Sequence, residues 1–397
     1  MKKDKIIYMD HNATTPMHPE VLKAMEPFFT DKYGNASSLH SKGREAHAAV
    51  DEARTAIGNF LGTEAVDIIF TSGGTESDNM AIKGVGFKNM DRGNHIITSS
   101  IEHLAVLETC RFMQAHGFEV TYLPVDEYGI VKAEDVRKAI TDKTTLVTIM
   151  HANNEVGTIQ PIAEIGAIIK KINAKRPKEQ RVYFHTDAVQ SFGKIPVDVE
   201  ELGVDLLSAS GHKIYGPKGV GLLYIRKGTQ IAPGSLGGHH ERSLRAGTEN
   251  VPGIVGFAKA VELAKKNFKE NDRVKGLRDR LYQGLNERIT DIKMNGGPDK
   301  RLSTTLSVAL RYVEGEALLL NFDMKGICAS TGSACTSGSL EQSHVLKAMG
   351  VDAVTAQGTV RFSLGLDNTD AEVDYCLKEI PKIVERLRSM SPLTPDQ

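Results

Sequence analysis

The chain has 397 residues, 25% of them charged, and a formal net charge of -1; neither a basic field for nucleic acid nor an acidic excess typical of disorder is present. A chain of this length is expected to divide into about two or three folded units, and its default partner is a small molecule. Its cysteines, Cys110, Cys328, Cys335 and Cys376, form neither a CxxC nor a Cys/His ligand pattern, so no disulfide framework or metal centre is expected.

The first residues, MKKDKIIYMD, lack an apolar segment long enough for a signal peptide, and no apolar run approaches the roughly 18 residues needed to span a bilayer. A cytoplasmic setting without membrane contact is expected. YMDHNATTP, residues 8 to 16, carries turn chemistry: Asp10, Asn12 and Thr14 can bond nearby backbone, and Pro16 precedes the helical stretch HPEVLKAMEPFF. YGNASSLHSKGREAHAAVDEARTAIGNFLG then reads as a polar loop, containing Asn35, that leads into an amphipathic helix from about Lys42 to Leu61.

Asp67 to Phe70 reads as a buried strand, after which TSGGTESDNMAIKGV opens a helix on Gly73, Gly74 and Thr75. Outward-pointing amides, close backbone approach and a hydroxyl would suit a phosphate there; an ordinary capped helix has the same signature. The strand His95 to Thr98 leads to SSIEHLAVLETC, where His103 stands at a helix start, a position that suits capping or packing. Strands Val120 to Pro124 and Thr145 to Met150, with helix near Ala133 to Ile140, continue an alternation that argues for a parallel sheet covered by helices. HANNEVGTIQP follows the second of these strands, and the carboxyl ends of strands are where open α/β sheets bind ligands.

RVYFHTDAVQ repeats the arrangement, with Asp187 at a strand end and Gln190 three residues later. LLSASGHKIYGPKGVGLLY, residues 206 to 224, is an apolar run that ends in small residues and delivers His212 and Lys213 to a glycine-punctuated turn. A lysine so placed loses hydration and is pushed toward the neutral amine that Schiff-base chemistry requires, whereas an ordinary surface lysine would stay solvated. The polar loop GGHHERSLRAGTENVPG follows, and then Ile254 to Ile289 with helical periodicity. SVAL and VRFSLG, mixed with helices around EGEALLLNF, LEQSHVLKAMG and AEVDYCLKEIPKIVERL, suggest an α+β unit in which the planar donors of Arg361 suit a carboxylate. In CASTGSACTSGSLEQSHVL, Cys335 is surrounded by the serines and glycines of a mobile loop, while Cys328, between Ile327 and Ala329, suits a core.

SASGHKIYGPKGVG resembles the cofactor-lysine segment of the cysteine desulfurases, which are fold-type I pyridoxal-phosphate enzymes. The likeness runs from DHNATTP to RLRSMSPL and is greatest for the nitrogen-fixation and iron-sulfur assembly type. It implies an α/β large domain over residues 15–261, with a mainly parallel seven-stranded sheet flanked by helices. A smaller α+β domain, 1–14 and 262–397, would carry the catalytic cysteine loop. It also implies that Lys213 binds pyridoxal 5'-phosphate and moves a proton, and that His103 stacks on the ring and transfers protons. Asp187 would hold the ring nitrogen protonated, Gln190 and Asn154 would meet the ring oxygen, and Gly74, Thr75, Ser210 and His212 would cup the phosphate. Thr248 would reach the phosphate of a neighbouring subunit in a homodimer, and Asn35 and Arg361 would hold the substrate carboxylate.

Cys335 would take sulfur from L-cysteine as a persulfide, release alanine, and pass the sulfur to an iron-sulfur scaffold or another acceptor protein. Where relatives usually have proline, proline and arginine, this chain has Ala36, Leu104 and Leu366. Selenocysteine lyase, an aminotransferase and a non-turnover binding protein of the same fold are the alternative readings, and the cysteine loop and the retained Lys213, Asp187 and His103 speak against the last two.

Overall fold

The computed structural model describes residues 6–332 and 342–392, which leaves Cys335 outside the described residues. Its strands are β1 (Ile7–Tyr8), β2 (Ile68–Thr71), β3 (His95–Ser99), β4 (Glu119–Leu123), β5 (Thr144–Thr148), β6 (Tyr183–Asp187), β7 (Leu206–Ser210), β8 (Gly221–Ile225), β9 (Ile292–Met294), β10 (Thr305–Leu310), β11 (Ile327–Cys328) and β12 (Thr359–Ser363). Seven of them form one sheet in the order β2-β8-β7-β6-β5-β3-β4. From β7 to β4 every pairing is parallel, and β8 runs antiparallel to both β7 and β2. The expected seven-stranded, mainly parallel α/β sheet is therefore present.

The near-continuous apolar runs of these strands follow from burial on both faces, because successive side chains point to opposite sides. Phe70, Ile97, Val147, Phe184, Leu207 and Leu222 join one core with the helices Ser41–Leu61, Ile162–Asn173 and Val251–Lys266. Their neighbours Ile69, Ile96, Leu146, Tyr183, Leu206 and Leu223 join the opposite core with the helices Gly74–Lys88 and Leu104–Ala115.

The helical periodicity of Ile254 to Ile289 resolves into two helices, Val251–Lys266 and Glu270–Asn286, with Asn267 capping the first. The interruption coincides with a change of core. Ile254, Phe257 and Val261 pack under the seven-stranded sheet, whereas Val274, Leu277, Leu281 and Leu285 pack with β10, β12 and the helix Asp370–Met390. That second core also takes in Ile7 and Met9 from the amino-terminal segment, where β1 pairs in parallel with β11. β12, β10 and β9 form its antiparallel sheet. Cys110 and Cys376 are buried, but Cys328 is half-buried, because β11 has only the two-residue β1 beside it. Among the described residues no helix is long and apolar enough to cross a membrane.

Candidate active site

β2, β3, β5, β6 and β7 run in one direction, so their carboxyl ends share one edge of the sheet. Residues just past those ends line a cavity of about 350 Å³. Gly74 and Thr75 come from the helix after β2, His103 from the turn after β3 and Asn154 from the loop after β5. Asp187 ends β6 with Gln190 beyond it, Ser210 ends β7, and His212 and Lys213 sit in the short helical turn that follows. Arg361 reaches the same cavity from β12 of the second core. Ten sequence-predicted positions are thus brought together by topology alone.

Lys213 Nζ donates to the carbonyl oxygens of Asn12 at 2.6 Å and Ala13 at 2.7 Å, which fixes the amine against the amino-terminal segment. Asp187 is 6% exposed, and its Oδ1 accepts the Val189 N–H at 2.8 Å. Burial raises its pKa above the ordinary carboxylate range, with His103 and Lys213 opposing. A desolvated carboxylate at a cavity wall favours a cation beside it. The His103 Nδ1 accepts from the Ala105 N–H at 3.1 Å as it caps the helix Leu104–Ala115, so the neutral ring carries its proton on Nε2. Burial lowers the His103 pKa below its ordinary value, and Asp187 opposes that.

The helix Gly74–Lys88 begins at Gly73 without a side-chain cap, leaving first-turn amides available to an anion. They face an adjoining cavity of about 420 Å³ that Ser210 and His212 also line. Side chains would not fit the closest part of this wall. A Cβ on Gly74 would meet Val189 Cγ2 at 2.5 Å, and one on Gly221 would meet Gly73 Cα at 2.6 Å. Glu76, in the same first turn, is held by Arg245 at 2.9 Å, which offsets its charge. Burial, followed by Lys213 and Lys218, pushes the His212 pKa down to about 4, so this ring takes part as a neutral hydrogen-bonding group. An anion-receptive helix start, a lysine amine and a buried carboxylate are the donor set that pyridoxal phosphate requires, and the residues present fit that group.

Asn35 and Thr248 are exposed and lie outside this cavity. The Asn35 Oδ1 closes its own turn by accepting the Ser37 N–H at 2.9 Å, beside a separate groove of about 1090 Å³ lined by Ala36, Leu39, Arg54 and Glu249. Arg361 donates to Asp10 Oδ1 at 2.8 Å and to the Asn154 carbonyl at 3.0 Å. Both flanks of the segment containing Cys335 meet Glu155: Ser343 Oγ donates to its Oε2 at 2.6 Å, and a Cβ on Gly332 would lie 2.5 Å from the same oxygen. Leu104 also lines the cavity.

Sequence reasoning passed over Asp78 and His344 and took Glu155 as no more than a turn residue, although all three line the cavity, and it passed over Glu102, whose burial raises its pKa to about 8. Glu102 immediately precedes His103 and Asp78 follows Thr75 by three residues, so proximity to those motifs was the available signal. No local pattern pointed to Glu155 or His344.

The aminotransferase class-V family model matches residues 7–376. The chain is 54% identical over 396 residues to the cysteine desulfurase IscS of Methanosarcina thermophila, covering 100% of this chain and 96% of that one. It is 52% identical to the cysteine desulfurase IscS of Dictyoglomus turgidum, covering 99% and 97%. Among solved structures, a NifS-like protein superposes with a TM-score of 0.90 at 43% identity, covering 96% of this chain and 100% of the other. SspA in complex with cysteine gives a TM-score of 0.79 at 39% identity, covering 90% and 98%. The chain belongs to the aminotransferase class-V family, among its pyridoxal-phosphate-dependent cysteine desulfurases.

Proposed function

We propose that the cavity at the sheet edge removes sulfur from L-cysteine, with Lys213 as the cofactor-bearing and proton-moving amine and Cys335 as the sulfur acceptor. The convergence of Lys213, Asp187 and His103 on one cavity carries this reading. Gly74, Thr75, Ser210 and His212 would hold the cofactor's phosphate end, Asp187 would face its ring nitrogen, and Gln190 and Asn154 its ring oxygen. When bound, pyridoxal phosphate supplies an electron sink for the carbanion formed at the substrate α-carbon. Arg361, which lines the cavity, would orient the substrate carboxylate; Asn35, facing a separate groove, does not reach it within one chain.

Lys213 takes the substrate α-proton as a neutral amine, and His103 exchanges a proton through Nε2. The Cys335 thiolate attacks the substrate sulfur: an S–S bond forms, the substrate Cβ–S bond breaks with its electron pair left on the three-carbon remainder, and that remainder gains a proton at Cβ, takes the α-proton back from Lys213 and leaves as alanine. The persulfide sulfur then passes to a thiol or to an acceptor protein of iron-sulfur cluster assembly. In this reading residues 15–261 form the cofactor unit, and 1–14 with 262–397 form the small unit bearing Cys335. Thr248, exposed on its loop, reaches the site of a second copy, making the working form a homodimer. Unpaired Cys110, Cys328 and Cys376 suit a reducing cytoplasm.

The test is alanine and sulfide release from L-cysteine with a thiol reductant. The native chain is expected to form both products, and Lys213→Ala and Cys335→Ala neither. Undiminished turnover by Cys335→Ala would remove the acceptor role while leaving the role of Lys213 standing.

A further inference from the structure

Lys194 is 9% exposed and lies four residues beyond Gln190, whose Oε1 accepts from its Nζ at 3.1 Å. No carboxylate pairs with this ammonium among the described residues, and a buried cation without a counter-charge is costly. The charged groups that face it are themselves cationic, Lys213 from the turn after β7 and Arg361 from β12. His11 and His212 also feel its charge, and Tyr215 and His18 are among the residues that line the small cavity of about 50 Å³ that Lys194 and Lys213 share. Arg361 has its charge matched by Asp10 at 2.8 Å, and Lys213 acts on Asp187. Burial, with Lys213 and Arg361, pushes the Lys194 pKa down to about 7.

The hydrogen bonds continue toward the cavity. Gln190 Nε2 donates to the Asn12 carbonyl at 3.0 Å, the same oxygen that accepts from Lys213 Nζ at 2.6 Å. An ammonium only donates, so it fixes Oε1 toward itself and turns the amide NH2 away; one N–H goes to Asn12, and the other remains for the cavity that Gln190 lines. The excess of cations behind this amide suits an anion in front of it.

We propose that Lys194 is a positioning residue for the cofactor's ring-oxygen end, aiming a Gln190 N–H into the cavity and setting a positive charge behind it. The inference rests on the reading above that Gln190 meets that oxygen. An anion in front of the amide favours the charged form of Lys194, and that charge in turn stabilises the deprotonated form of the bound chromophore, so removing it moves the chromophore's titration to higher pH. Lys194→Met in the full chain is expected to raise the midpoint of the pH-dependent absorbance change by about one unit and to weaken pyridoxal-phosphate binding by the cofactor-free protein about tenfold.

Combined with Gln190→Ala, Lys194→Met is expected to add a smaller shift than it gives alone, since the amide it aims is gone and only the direct field of the charge remains. An unchanged midpoint in Lys194→Met alongside a shifted one in Gln190→Ala would overturn the proposal, as would a Lys194→Met shift of full size in the Gln190→Ala background. Native behaviour of Gln190→Ala would instead sink the underlying reading of Gln190. Should the methionine variant not fold, Lys194→Gln, which keeps a donor and drops the charge, is expected to move the midpoint in the same direction by a smaller amount, and an unmoved midpoint there would overturn the role of the charge.

Discussion

Asp10 and Arg361 are 351 residues apart in the chain, and the Arg361 Nη2 donates to Asp10 Oδ1 at 2.8 Å. The guanidinium is 3% exposed and the carboxylate 19%, so the pair locks the amino-terminal segment to β12 along the cavity wall. The same guanidinium lines the cavity, which gives one side chain both a structural partner and a ligand-facing edge.

The structural duty and the proposed carboxylate-binding duty separate by mutation. Asp10→Asn leaves a buried cation without its partner and is expected to cost about 3 kcal/mol in urea denaturation, while the KM for L-cysteine changes little. Arg361→Ala removes charge-assisted bonds worth about 1.5–3 kcal/mol to a bound carboxylate, so KM is expected to rise about tenfold or more. Equal KM values for the two variants would show that Arg361 serves only Asp10.

Gly221 on β8 has no room for a methyl group. A Cβ there would meet Gly73 Cα at 2.6 Å and the Ala209 carbonyl at 2.7 Å, both backbone atoms, and backbone yields less readily than a side-chain tip. Gly221→Ala is expected to push the helix start at Gly73 away from β7 and to destabilise the fold by about 1–3 kcal/mol. Cofactor affinity is expected to fall with it, measured by titrating pyridoxal phosphate into the cofactor-free variant. Gly276, whose Cβ would meet open space, is the control, and Gly276→Ala is expected to leave affinity unchanged.

His185 lies beneath the site with both ring nitrogens engaged, by Thr148 Oγ1 at 2.8 Å and Ser208 Oγ at 2.9 Å. Complete burial lowers its pKa from 6.5 to about 3. Below pH 6.5 the unfolded chain therefore binds a proton at His185 that the folded chain refuses. Stability attributable to this neutral ring is complete above the unfolded value and is lost as the pH falls toward the folded one, at about 1.4 kcal/mol per unit. His185→Gln is expected to remove this slope, so the gap between native and variant unfolding free energies should narrow as pH falls from about 7.5 to about 5. A constant gap would mean that the folded ring takes up its proton over the same pH range as the unfolded one.

The fold was legible because its strands are short apolar runs that stop at polar or glycine-rich turns, and Asp187, Ser210 and Lys213 stand where those runs end. Asn12 and Asp10 were legible only as turn residues. Their partners come from elsewhere: the Asn12 amide donates to Thr305 Oγ1 at 2.9 Å and to the Asn154 carbonyl at 3.1 Å, and Asp10 binds Arg361. No local pattern encodes a bond that spans hundreds of residues. Lys194 was illegible for a related reason, since a lysine in a polar stretch reads as solvated until the second core covers it.

The loop that carries Thr248 is tied to the helix Ser41–Leu61 and to β2 through one buried carboxylate. Glu241 accepts from Arg54 Nη1 at 2.8 Å and Nη2 at 2.7 Å, and from the Phe70 N–H at 2.8 Å. Glu241, Arg242 and Ser243 hold φ values of 42°, 56° and 61°, a left-handed backbone costing on the order of 1–3 kcal/mol per non-glycine residue unless surrounding contacts impose it. The Arg54 clasp is the contact that does so. Glu241→Ala removes the acceptor and strands a guanidinium that is 15% exposed, so a loss of about 3–5 kcal/mol is expected together with faster amide hydrogen exchange from Glu241 to Gly247. Arg54→Ala should give the same exchange pattern, because each substitution releases the same strained turn. If exchange in that turn stayed native in both variants, the left-handed run would be held by its own residues and not by the clasp.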